Sequence, residues 1–122
     1  MKVLIVDDEE DIRKVASIAL SRLGGMEVTE AASGPDGIAA AAAVTPDAIL
    51  LDVMMPGMDG PAVLERLKAD PGTAGIPVVF LTAKAMASEV LRLRGLGAAG
   101  VLTKPFDPVS LAGQIRAILA GG

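Results

Sequence analysis

Four of the five short apolar runs in this chain stop at a polar or charged side chain. Asp7 and Asp8 follow Val3-Leu4-Ile5-Val6, and Asp52 follows Ile49-Leu50-Leu51. Thr82 follows Val78-Val79-Phe80-Leu81, and Lys104 follows Gly100-Val101-Leu102-Thr103. Carboxylates gathered at one place repel unless a cation or a proton intervenes. Hard divalent ions such as Mg2+ take oxygen ligands and keep several waters, so Asp7, Asp8 and Asp52 are candidate metal ligands. A carboxylate can also act as a nucleophile and form an acyl phosphate. Asp52 is the candidate acceptor for that chemistry. The metal and Lys104 would offset charge building on the phosphoryl oxygens. The Thr82 hydroxyl and the Ala83 amide offer donors to a remaining oxygen, and the small Ala83 leaves the approach open.

These residues need a scaffold that brings the ends of apolar runs together. The runs Lys2–Val6, Met26–Glu30, Asp47–Leu51, Ile76–Leu81 and Gly100–Thr103 have the length and content of strands buried on both faces. Helices are expected between them. Asp11 to Leu23 carries a stripe of Ile12, Val15, Ala16, Ala19, Leu20 and Leu23, ended by Gly24-Gly25. Ser33 or Gly34 with Pro35 opens a second helix, closed at Thr45-Pro46. Asp59 or Gly60 with Pro61 opens a third through Leu67, Lys84 to Leu93 forms a fourth, and Asp107 caps a fifth with a stripe of Leu111, Ile115, Ile118 and Leu119. The alternation predicts a (βα)5 doubly wound α/β fold: a five-stranded parallel sheet in flavodoxin-like order 2-1-3-4-5, in three αβα layers. A site in such a sheet lies beyond the strands' carboxyl ends, at the switch between strands 1 and 3.

The 122 residues fit one domain, residues 1–122, with one core. A net charge of −4 argues against a direct nucleic-acid partner, since phosphate contact wants clustered Lys and Arg. The chain has no cysteine and no histidine, which excludes disulfides, thiolate chemistry and imidazole catalysis, and points to the cytoplasm. No apolar run is long enough for a membrane span.

Taken together, Val3-Leu4-Ile5-Val6-Asp7-Asp8-Glu9, Leu51-Asp52 through Gly60, Leu81-Thr82-Ala83 and Gly97 through Phe106 make the chain similar to the receiver domain of two-component response regulators. The resemblance spans essentially the whole chain. It implies that Asp52 takes a phosphoryl group from a phosphohistidine on a histidine kinase or a histidine phosphotransfer protein, with Mg2+, or Mn2+ in its place, as cofactor. It implies metal ligation by Asp8 directly, by Asp7 through water, by Asp52, and by the Met54 carbonyl. Thr82 would sense the phosphoryl group, Lys104 would pair with it, and Lys104-Pro105 would be a cis peptide. The protein would act as a switch rather than a turnover enzyme, docking a partner or a second copy through helices 4 and 5 with strand 5.

One position departs from the family pattern. An aromatic usually stands three residues before the lysine, and here it is Val101, which puts the usual threonine-to-aromatic coupling in question. Phe80 and Phe106 are expected in the core. Competing readings are a phosphorelay shuttle, a receiver that binds proteins without being phosphorylated, and an aspartate-nucleophile phosphatase. The last wants an acid two residues after the nucleophile, where Met54 stands. A nucleotide or flavin site would want glycines after strand 1, where acids stand. Glu9, Glu10 and Asp11 read as a solvated helix start, and the glycines at 57, 60, 97 and 100 as turn residues needing unusual backbone angles.

Overall fold

A computed structural model describes residues 1–84 and 86–121. The strands are β1 (Lys2–Val6), β2 (Glu27–Ala31), β3 (Ala48–Asp52), β4 (Val78–Thr82) and β5 (Gly100–Thr103). The helices are α1 (Glu10–Ile18), continued by a wider π-type segment Ala19–Leu23, then α2 (Gly34–Val44), α3 (Gly60–Ala69), α4 (Ala87–Gly95) and α5 (Leu111–Gly121). All the strand pairs are parallel, in the order β2-β1-β3-β4-β5. The expected (βα)5 architecture and strand order are therefore present.

Register levels the carboxyl ends. Val6 pairs with Leu51, Asp52 with Leu81, and Thr82 with Thr103. The residues that follow these positions emerge along one edge, with β1 and β3 adjacent at its centre.

Two apolar layers explain the continuous apolar runs. Leu4, Val6, Ile49, Leu51, Val78 and Phe80 face Val63, Leu64 and Leu67 of α3 and Leu93 of α4. Val3, Ile5, Leu50, Val79 and Leu81 face Ala16, Leu20, Leu111 and Ile115 of α1 and α5. Phe80 is fully buried, as expected, whereas Phe106 only packs at the margin of the second layer.

Several boundaries differ from the sequence expectation, for local reasons. Met26 donates its amide to the Leu20 carbonyl, so β2 begins one residue later than expected. Ile76 donates to Thr73 in a turn and Pro77 has no N–H for the ladder, so β4 begins at Val78 and runs through Thr82. Asp47 ties to Lys2 at the start of β1, and β3 runs on through Asp52. Ser33 and Asp59 cap α2 and α3 as expected. Asp107 does not cap α5. Its carboxylate accepts from Val109 N in a turn at 3.0 Å, and the helix starts at Leu111. In α1, Val15 and Leu23 are exposed although the stripe placed them inside. The π-type turn adds a residue to the helical repeat and swings Leu23 outward. Of the four glycines expected to need unusual backbone angles, Gly57 and Gly97 adopt positive φ, 78° and 109°. Gly60 and Gly100 do not. They are small for contact instead, since a Cβ on Gly60 would lie 2.5 Å from the Asp52 carbonyl oxygen and one on Gly100 2.7 Å from Ile118.

Candidate phosphoacceptor site

The edge at β1, β3, β4 and β5 carries buried charge. Asp7, Asp52 and Thr82 are 1%, 3% and 2% exposed, while Asp8 is exposed. Lys104 reaches in from the end of β5. Its Nζ lies 3.1 Å from Asp52 Oδ1, 3.3 Å from Asp7 Oδ2 and 3.2 Å from Glu9 Oε1. The Asp7 Oδ1 accepts the Glu9 amide at 2.9 Å, which fixes the loop leaving β1. Arg13 of α1 holds the same loop from behind. Its Nη1 donates to the Asp7 carbonyl at 2.8 Å and its Nε to Glu30 of β2 at 3.1 Å.

The Asp52 carboxyl is pushed up to about 6, first by burial and then by the neighbouring Asp7 charge. Lys104 and the Met54 amide pull the other way without cancelling these effects. For Lys104, burial disfavours the ammonium, but Asp52, Asp7 and Glu9 outweigh it and hold the pKa above its ordinary value. The lysine is therefore a fixed positive charge beside a carboxylate that ionises reluctantly.

Asp7, Asp8 and Asp52 each place a carboxylate oxygen within 4.8 Å of the others. Asp52 Oδ2 is buried without a partner, and the buried Asp7 Oδ2 has no hydrogen bond and only the Lys104 ion pair. Orphaned anionic oxygens are costly in a folded protein. An all-oxygen donor set with unsatisfied buried members fits a hard divalent cation such as Mg2+. The Met54 side chain is 70% exposed.

Thr82 Oγ1 accepts the Lys84 amide at 3.1 Å. The hydroxyl thus braces the loop after β4 and does not cap α4, whose N-cap position is Met86 in extended backbone. The expected start of that helix at Lys84 falls three residues early. Val101 is half-buried against the α3-side core, and Phe80 lies wholly inside, so neither offers an aromatic free to swing. Met86 and Leu91 of the α4 region are exposed.

The sequence reading brought Asp7, Asp8, Asp52, Thr82 and Lys104 to one edge, and the structure places them there. It missed Glu9 and Arg13. Glu9 reads as a solvated acid, yet its carboxylate pairs with a lysine 95 residues away. Arg13 reads as the polar face of α1. No local spacing signals either contact.

The response regulator receiver domain family model matches residues 3–116. Among curated proteins, the DNA-binding dual master transcriptional regulator RpaA of Synechocystis is 40% identical over 118 residues, covering 97% of this chain and 48% of RpaA. The response regulator PleD of Caulobacter vibrioides is 44% identical over 120 residues, covering 96% of this chain and 26% of PleD. This chain thus spans half or less of the length of these relatives. Among solved structures, the chemotaxis response regulator CheY4 of Vibrio cholerae superposes with a TM-score of 0.89 at 32% identity, over 96% of this chain and 97% of that one. No helix among the described residues is long and apolar enough to cross a membrane.

Proposed function

The chain belongs to the response regulator receiver domain family, and on that premise we propose that Asp52 accepts a phosphoryl group from a phosphohistidine of a histidine kinase or a histidine phosphotransfer protein. An Asp52 oxygen forms the new P–O bond. The P–N bond to the donor imidazole breaks, and its electron pair stays with the imidazole. A Mg2+ ion held by Asp7, Asp8, Asp52 and the Met54 carbonyl would supply positive charge against the phosphoryl oxygens. Lys104 supplies a second positive charge, and the Thr82 hydroxyl, which accepts from the Lys84 amide, keeps its own O–H to donate to a remaining oxygen.

The observation that carries this reading is the buried Asp52 Oδ2 without a partner, beside Lys104 and two further carboxylates. A buried anion with an open oxygen is a poor stabiliser of the fold and a good acceptor for an electrophile. Met54 stands where an aspartate-nucleophile phosphatase would carry its acid, so the acyl phosphate is stored rather than turned over. The added charge, roughly −1.5 to −2, then biases the surface formed by α4, β5 and α5, where a partner or a second copy docks.

The test is incubation with acetyl phosphate and Mg2+ followed by intact mass. Gain of one phosphoryl group, lost in Asp52→Asn, is expected. No gain with either Mg2+ or Mn2+ overturns the reading.

A further inference from the structure

Glu9 stands at the N-cap position of α1 with extended backbone (φ −82°, ψ 107°), yet its side chain makes no capping bond. The carboxylate crosses to Lys104 instead. An ammonium has three donors and no acceptor capacity, and Lys104 Nζ has three carboxylates around it, those of Asp7, Glu9 and Asp52. Glu9 meets it with the alignment of a hydrogen bond, at 3.2 Å, beside Asp52 at 3.1 Å. The three differ sharply in exposure: the Glu9 side chain is 56% exposed, those of Asp7 and Asp52 2% and 3%.

A phosphoryl oxygen can reach Lys104 only if one of these partners withdraws. Asp7 and Asp52 are walled in and would stay unsolvated. Glu9 needs only to turn into water, where its charge is solvated at little cost. We propose that the Glu9 carboxylate occupies the place on Lys104 that an incoming phosphoryl oxygen takes, and so acts as a built-in competitor that sets the affinity for anionic phosphodonors. This rests on the phosphoacceptor reading and adds a residue to it. Glu9 forms no bond to phosphorus. It masks the lysine at rest and is displaced during capture.

The experiment compares the wild type with Glu9→Gln and Glu9→Asp. The first removes the charge, and the second keeps it but retracts the carboxylate from Lys104 by one methylene. Two quantities are read: the initial rate of labelling at sub-saturating acetyl phosphate with Mg2+, by intact mass, and the affinity for fluoroberyllate with Mg2+, by calorimetry. Both variants are expected to label faster and bind fluoroberyllate more tightly by about two- to fivefold, the scale of a partly exposed ion pair. Calorimetric Mg2+ affinity should be unchanged in Glu9→Asp, which a general disturbance of the loop would not allow. A gain in Glu9→Gln alone overturns the proposal in favour of diffuse charge repulsion. Equal behaviour of all three proteins, with the wild type labelled at Asp52, overturns it and leaves the phosphoacceptor reading standing. No labelling of any of them overturns both.

Discussion

α3 and α4 lie over the same face of the sheet, but α3 sets Gly60, Val63, Leu64 and Leu67 into the core while α4 buries Leu93 alone. α3 also grips the acceptor loop directly. The Gly60 amide donates to the Val53 carbonyl at 2.9 Å, one residue past Asp52. α4 follows the loop that Thr82 braces and has no side-chain cap at its start. The acceptor is thus held by the better-packed helix and the sensing threonine leads into the weakly held one. An acceptor gains from fixed geometry, whereas an element that must respond to new charge gains from a low cost of movement.

The largest expected effect lies on the α3 side. Gly60→Ala would drive a Cβ against the Asp52 carbonyl oxygen and, at 2.9 Å, against Val53 Cα, neither of which can rotate away. A loss of about 3 kcal/mol in urea unfolding is expected. Loss below about 1 kcal/mol would break the contrast between the helices. Leu93→Ala should cost about 2 kcal/mol, with the damage local. Hydrogen exchange should accelerate in α4 while α3 keeps its protection, and equal acceleration in both would show that they open together.

The acceptor side also stores electrostatic cost. The folded pKa of Asp52, about 6 against an ordinary 3.8, means that ionisation disfavours the fold. Stability attached to the neutral acid is complete below about pH 4 and is lost as pH rises through about 6. Asp52→Asn escapes that loss, so in chelator it should gain on the order of 2 kcal/mol at neutral pH. The gain should vanish on acidification to about pH 4. A variant no more stable than the wild type at pH 7 would remove the strain from the acceptor side.

A smaller effect concerns the lifetime of the acyl phosphate. Met54 offers no hydrogen bond to an attacking water, and Met54→Asn does. Phosphate loss from the variant should be roughly two- to tenfold faster, the scale of one hydrogen bond. Equal decay curves would show that the exposed position beyond the acceptor has no hold on hydrolysis. Least of all is expected from Leu91→Ala, on the open side of α4, where the change in stability should stay within about 0.5 kcal/mol.

Much of this is legible in the amino-acid sequence, because a parallel sheet writes itself as apolar runs and its chemistry as whatever ends them. Asp52 and Lys104 are distant in sequence but follow from topology once the strand order is assigned. The losses came where a contact depends on a side chain's route. Glu9 looked like one more acid at a helix start, and nothing near it in sequence names Lys104. Asp107 had the composition of a cap, but Val109 takes its carboxylate in a turn. Val15 matched the helical period yet lies outside, since periodicity assigns a face and not how far the next element covers it.

The level register has a further consequence, for how the molecule tolerates change. The turns at the opposite edge, around Gly24-Gly25, Thr45–Asp47, Asp70–Ile76 and Gly97–Ala99, contribute none of the charged groups gathered at the carboxyl edge. At Gly75 an added Cβ would meet nothing within 4 Å. Insertions, splices and tethered modules can accumulate along that margin of the sheet without touching the chemistry at the other.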